Sequence, residues 1–257
     1  MKKPIKIVLV VLLVLVGLAA VNFAPMLSKR VPGMEAIVHR GITVHARPDD
    51  RQDARRVAER IADAAAGVRE AFQATDTRPI DVILYPNQAA LHRKTIGLVG
   101  VLLPDWYIGG NTPDSVLIVS PSRPGSAHTR ESVEQAAVHE YVHVLTDRRN
   151  QALGYWLKEG IALYLAEQVP DASSVAAAAD ITWAEFSQPN ALQFAQVGGY
   201  QLAHTLIEYI RDRHGWDAVL GLTEPEATHE AVLGQSRHEL FDAWKAWLEE
   251  TYGQQSA

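Results

Sequence analysis

Two histidines flank a glutamate in the segment His139-Glu140-Tyr141-Val142-His143, which has the pattern H-E-x-x-H. On a helix, residues four apart lie on one face, so His139 and His143 can direct two imidazole rings at one point. That spacing suits a zinc ion, and Glu140 lies where it can take a proton from water that the metal activates. The pattern therefore predicts a zinc site that hydrolyses peptide bonds.

A candidate third ligand follows sixteen positions after His143, at Glu159. Two histidines and one glutamate would leave the fourth position of a tetrahedral zinc ion open for water. The chain contains no cysteine, so any metal must be held by imidazole and carboxylate groups. The sequence predicts Zn2+ as the cofactor, held by His139, His143 and Glu159.

The segment that carries the motif is predicted to be a buried helix that begins near residues 129–132, where Ser132 to Gln135 fits a capping box. Apolar residues surround the motif on nearly all sides, which is typical of a buried helix. Burying two histidines and a glutamate costs free energy unless they are paired or bind metal. The alternative is that both histidines are core residues and bind no metal.

The rest of the chain predicts an α+β fold. Before the motif, alternating or apolar runs predict a small mixed β-sheet with strands near residues 37–44, 80–85 and 115–120, and helices near 54–72 and 88–94. After it, helices are predicted over 156–168, 200–213, 216–222 and from Ser236 onward. Gly160 and Ala162 are expected to let the first of these approach the motif helix closely. The predicted domains are a mixed lobe at 31–125 and a mainly helical, zinc-binding lobe at 126–257.

The first 30 residues resemble an export segment. Lys2, Lys3 and Lys6 precede an uncharged run from Ile7 to Leu27, which is about as long as the ~20 residues needed to cross a bilayer. We expect an uncleaved N-terminal membrane anchor with the body outside the cytoplasm. A cleaved signal peptide, giving a secreted or periplasmic protein, is the alternative.

Composition narrows the possible partners. The 257 residues are 47% hydrophobic and 21% charged, as in an ordinary globular protein, and the net charge is -6. The chain therefore lacks the excess of positive charge that would indicate nucleic-acid binding. The predicted partners are therefore a peptide or protein substrate and, through the leader, a membrane.

The motifs together resemble a known family. H-E-Y-V-H followed by Y-W-L-K-E-G-I-A-L-Y is similar to the gluzincin metallopeptidases, most closely to their short bacterial peptidase MA-like members. The resemblance spans roughly residues 114–247 and is strongest over 137–167. The metzincin pattern is excluded, because it needs glycine and histidine where the chain has Thr146 and Arg149.

The resemblance implies a zincin-like fold with zinc on His139, His143 and Glu159, and Glu140 as general base. It also implies that the strand over residues 116–119 is the sheet edge along which a peptide substrate lies. A tyrosine or histidine of the downstream helix would stabilise the oxyanion, and Tyr200 is the candidate, with His204 one turn later.

The chain departs from the family in the third-ligand helix. The form E-x-x-x-D is absent because Leu163 follows Glu159 by four positions, so the carboxylate partner expected behind His139 is not identified. Asp147, one turn past His143, is expected to be the carboxylate partner of the second ligand, His143. Two classes of function stay open: a zinc peptidase, and a catalytically inactive zincin-fold protein that binds partners or assists envelope assembly.

Overall fold

The computed structural model of the protein describes residues 3–102 and 105–253. Lys2 of the predicted leader and residues 254–257 of the predicted helical lobe lie outside this range. The architecture is α+β, with a five-stranded mixed sheet in the N-terminal half and a mainly helical C-terminal half, so the predicted fold class is confirmed.

The N-terminal helix α1 spans Lys3–Phe23. Its apolar stretch continues to Leu27, and the side chains are almost all exposed. A helix of 21 residues is about 30 Å long, which matches the hydrocarbon core of a bilayer. By length and composition the segment can therefore serve as a membrane anchor or as a signal sequence.

The chain forms two compact units: unit 1 is Met1–Ala62 with Ile80–Ala137 and includes α1, and unit 2 is Asp63–Pro79 with Val138–Ala257. The sequence placed the boundary between residues 125 and 126. The units instead divide within two long helices, α2 (Arg51–Ala71) and α4 (Arg130–Arg149), each of which contributes residues to both.

Unit 1 contains the sheet, whose strands lie in the order β1-β2-β3-β5-β4. The strands are β1 (Glu35–His39), β2 (Ile42–Ala46), β3 (Asp81–Tyr85), β4 (Gly109–Thr112) and β5 (Ser115–Val119). The pairs β2–β3 and β3–β5 are parallel, and the pairs β1–β2 and β4–β5 are antiparallel. The expectation that residues 116–119 form the sheet edge is wrong, because β5 is paired on both sides and β4 is the edge strand.

One face of this sheet packs on the short helix α3 (Gln88–Thr95). Ile83, Tyr85 and Leu117 form a buried cluster with Leu91 of α3. These side chains alternate along β3 and come from paired positions of β3 and β5, as expected for one face of a sheet. The cluster holds α3 against the sheet.

Unit 2 is a helical assembly. Its helices after α4 are α5 (Tyr155–Leu165), α6 (Ala172–Ala178), α7 (Trp183–Phe186), α8 (Ala191–Gln196), α9 (Gly199–His214), α10 (Trp216–Gly221), α11 (His229–Leu233) and α12 (Arg237–Tyr252). The predicted end of α9 at Gly215 and the capping box of Ser236 with Glu239 are confirmed. Buried aromatic rings, among them Phe186, Phe194 and Trp244, fill the space between these helices.

Two local predictions are wrong. Helix α4 is capped by Thr129 and Ser132, whose hydroxyl groups accept hydrogen bonds from each other's backbone N–H, so the cap lies three residues before the predicted one. The nearest neighbours of Gly160 in α5 belong to α9 and not to α4: a Cβ there would lie 2.6 Å from the carbonyl oxygen of Ala203 and 2.7 Å from Cγ1 of Ile207. The glycine therefore fixes α5 against α9.

Candidate metal centre

Helices α4 and α5 bring the three predicted ligands together. His139 and His143 lie one turn apart on α4, with ring centroids 4.6 Å apart and the rings edge to face. Glu159 lies in the second turn of α5. All three residues are at most 9% exposed. The sequence spacing therefore leads to one buried cluster.

The carboxylate of Glu159 faces both imidazoles. Its Oε2 atom lies 3.3 Å from Nε2 of His139, and its Oε1 atom lies 3.5 Å from Nε2 of His143. One ligand atom from each residue falls within 4.8 Å of the others, so the cluster could hold a metal ion. Burial acts to raise the pKa of Glu159, but the imidazoles of His143 and His139, when they are protonated and donate to the carboxylate, lower it overall.

A glutamine orients the first histidine. Oε1 of Gln168 lies 2.7 Å from Nδ1 of His139. An amide oxygen only accepts hydrogen bonds, so Nδ1 of His139 donates, and the neutral ring then has a lone pair on Nε2. That lone pair and the Glu159 carboxylate face each other as two acceptors, an arrangement that is favourable only with a cation or a proton between them. The donor set of two imidazoles and one carboxylate fits a divalent metal such as zinc.

The end of α5 fixes the position of Gln168. Glu167 has a positive φ of 56°, its N–H bonds to the carbonyl of Tyr164, and the N–H of Gln168 bonds to the carbonyl of Leu163. These two bonds form a Schellman motif, which turns the chain sharply at a helix end. Sequence reasoning missed this partner because it looked for a carboxylate within α5, whereas the amide comes from the turn that follows.

The second histidine has a different environment. Its Nδ1 atom is buried and has no hydrogen-bond partner in the described ranges. Asp147 does not take the predicted position behind His143, because its carboxylate forms an ion pair with Lys158 of α5. This ion pair instead links the last turns of α4 to the start of α5.

Glu140 lies on α4 beside the cluster and is half-buried. Desolvation by the surrounding protein raises the pKa of its carboxyl group to about 8. The charge of His139 opposes this rise, while the charges of Glu159 and Asp147 add to it. The group can therefore exchange a proton near neutral pH, as a general base or acid must.

Two tyrosines adjoin Glu159. The hydroxyl groups of Tyr155 and Tyr200 lie 2.8 Å apart, and both rings pack edge to face on Phe194. Tyr155 also forms a hydrogen bond with Glu159. Burial raises the pKa of the tyrosine most, and the charge of Glu159 and this hydrogen bond add to the rise. A carboxylate only accepts, and Tyr155 has one proton, so Tyr155 donates to Glu159 and Tyr200 donates to Tyr155.

The spacing of Tyr155 and Glu159 is four residues along α5, which places both on one face of the helix. This spacing is the signal that could have identified Tyr155 from the sequence. Sequence analysis treated the segment only as the source of the third ligand.

The two oxyanion candidates on α9 have different surroundings. Burial and the charges of Glu159 and Glu140 raise the pKa of Tyr200, so its hydroxyl group lies within reach of the cluster's charges. His204 is buried against Tyr164, with ring centroids 5.5 Å apart, and burial alone lowers its pKa to about 4. The structure therefore brings Tyr200, rather than His204, under the influence of the cluster.

No match is found between this chain and the protein-family models, the curated proteins or the solved structures with which it was compared. The resemblance to gluzincins stays a prediction that depends on the residues of this chain alone.

Proposed function

We propose that the protein is a zinc-dependent metallopeptidase of the gluzincin type that hydrolyses peptide bonds outside the cytoplasm. One observation carries this proposal: His139, His143 and Glu159 converge in a buried cluster, with Glu140 on the same helix as the two histidines. A buried set of two imidazoles and one carboxylate, without cysteine, is the donor set of many catalytic zinc sites.

The chain's own residues would hold the ion in a defined orientation. Gln168 keeps the lone pair of His139 directed inward, and Tyr155 and Lys158 secure α5, which carries Glu159. Three protein ligands leave one coordination position open. A bound zinc ion would supply Lewis acidity to the scissile carbonyl and lower the pKa of water to about 7.

Glu140 is the proposed general base and acid. It accepts the proton of the attacking water as the oxygen bonds to the scissile carbonyl carbon. It then donates that proton to the leaving nitrogen as the C–N bond breaks, which yields a carboxylic acid and an amine. Glu140 follows His139 on α4, the helix that carries both histidines, and its carboxyl group can exchange a proton near neutral pH.

Tyr200 is the proposed hydrogen-bond donor to the oxyanion. Because Tyr155 donates its own proton to Glu159, Tyr200 donates to the hydroxyl oxygen of Tyr155, 2.8 Å away. During the reaction it would exchange this bond for one to the carbonyl oxygen, while Tyr155 keeps its bond to Glu159. Tyr155 would thus hold Tyr200 in position without contacting the substrate.

The location outside the cytoplasm is part of the proposal. It is supported by α1, which is long and apolar enough to be an anchor or a signal sequence, and by Lys2, Lys3 and Lys6 at its start. Positive residues before a first span favour a cytoplasmic N-terminus.

The proposal is tested with a peptide-library cleavage assay on the purified chain, the Glu140→Gln variant and the control His238→Ala. His238 is 85% exposed, so its loss should change nothing. Glu140→Gln should keep the metal and lose turnover by several orders of magnitude. Undiminished cleavage by Glu140→Gln contradicts the mechanism. Metal binding without cleavage of any peptide would favour the inactive binding protein on the same scaffold.

A further inference from the structure

The loop after α3 exposes an unusual number of apolar side chains. Ile96, Leu98, Val99 and Leu102 are all exposed, Leu102 by 83%. Elsewhere beyond α1, the exposed large apolar residues of the described chain are scattered singly. Contiguous exposed apolar patches mark a surface that binds a partner or a membrane.

The same loop turns its small residues inward. Gly97 and Gly100 are buried. A Cβ at Gly97 would lie 2.4 Å from the carbonyl oxygen of Asn22, and one at Gly100 would lie 2.6 Å from that of His92. Gly97 also has a φ of +95°, which other residues rarely adopt. The backbone is thus held closely against the protein while its large apolar side chains face outward, the reverse of an ordinary soluble loop.

The loop lies at the end of α1. The N–H of Val99 donates a hydrogen bond to Oδ1 of Asn22, at a distance of 3.0 Å. Asn22 is in the last turn of α1, where a spanning helix would leave the hydrocarbon core. A polar side chain at that depth needs a protein partner, because lipid offers none. The loop provides this partner and is continuous with the surface of the apolar helix.

Basic residues flank the patch. Arg93 and Arg30 are exposed, and Lys29 donates to the carbonyl oxygen of Lys94 at 3.0 Å. Lys29 therefore lies next to the end of α3, where Arg93 and Lys94 precede the loop, and Arg30 forms an ion pair with Asp81. Apolar side chains bordered by lysine and arginine are typical of segments that lie at the level of lipid head groups.

We propose that the loop from Ile96 to Leu102 is a second membrane contact, which inserts its apolar side chains into the bilayer interface where α1 leaves it. Unit 1 is then fixed to the membrane surface at two adjoining points and does not hang from a single helix. The proposal requires that α1 is retained as an anchor. It does not require peptidase activity, so failure of the zinc site would leave it unchanged.

The absence of cysteine from the chain allows a clean labelling experiment. The full chain is labelled with an environment-sensitive fluorophore at a single introduced cysteine, in the variant Val99→Cys or in the control variant Val38→Cys. Each labelled protein is then reconstituted in liposomes of phosphatidylethanolamine and phosphatidylglycerol. Val38 is an exposed valine of β1 in the same unit, so a label there shows how the apolar fluorophore behaves at an exposed position outside the loop. A third label at Leu102→Cys reports a second position of the loop.

Labels at positions 99 and 102 should emit at shorter wavelength than the label at 38. Lipids with a nitroxide high on the acyl chain should quench them about twofold or more relative to position 38. Equal quenching and water-like emission at all three positions would overturn the proposal. Isolation from native membranes of a chain that begins after α1 would overturn it as well, because the anchor would be missing.

Discussion

The substitution Gly160→Ala should destabilise unit 2, although alanine favours helix more than glycine does. At an exposed position of a helix the same substitution would raise the free energy of unfolding by ~1 kcal/mol. Here the added methyl group would lie 2.6 Å from the carbonyl oxygen of Ala203 and 2.7 Å from Cγ1 of Ile207. The first is a backbone atom of a buried helix and cannot move cheaply, so overpacking should cost ~3 kcal/mol, the upper part of its usual range.

The free energy of unfolding should therefore fall by ~2 kcal/mol, which corresponds to a fall in Tm of about 4–8 °C for a protein of this size. Gly67→Ala is the matched control, because Gly67 is an exposed residue of α2 in the same unit and a methyl group added there would meet no neighbouring side chain or helix within 4 Å. That substitution should raise the free energy of unfolding by up to ~1 kcal/mol.

Thermal unfolding followed by tryptophan fluorescence measures both variants, since Trp156 and Trp244 are buried in unit 2. The two identical substitutions should shift Tm in opposite directions. A Gly160→Ala protein as stable as the parent, or more stable, would refute the reasoning that close contact with α9 requires the glycine.

Three further predictions concern the centre and its surroundings. Gln168→Leu should weaken zinc affinity about 10- to 100-fold in a chelator competition assay, because His139 loses the acceptor that orients it, whereas Gln168→Glu should retain binding. Tyr200→Phe should lower kcat about 100- to 1000-fold with zinc content unchanged, and unchanged kcat would remove Tyr200 from the mechanism. His204 has a pKa of about 4 in the folded protein, below its usual 6.5, so it should stabilise the fold above pH 6.5. That stability should be lost progressively as pH falls from 6.5 to 4, by up to ~3 kcal/mol in denaturation at several pH values. A stability profile of His204→Gln as steep as that of the parent would contradict this.

The sequence predicted the ligand cluster because its determinants are local. The four-residue spacing of His139 and His143 fixes their common face as soon as the segment is helical, and α4 is helical from Arg130 to Arg149. The order of elements and the α+β class also follow from apolar periodicity along the chain. The capping box of Ser236 with Glu239 acts within a few positions and was predicted correctly.

The remaining features depend on contacts that sequence spacing does not encode. Gln168 reaches His139 only because a helix-ending turn at Glu167 reverses the chain. The edge position of β4 is decided by strand pairing, which residues in one strand do not reveal. Gly160 indicated a close approach, but the identity of the facing helix required the tertiary structure.

The most direct test of the central claim is the zinc content of the chain, produced without a histidine tag and measured by elemental mass spectrometry beside His143→Ala and His238→Ala. We expect about one zinc ion per chain in the parent and in His238→Ala, and loss of the ion in His143→Ala. Absence of zinc from the parent after zinc is supplied, or full retention by His143→Ala, would contradict it.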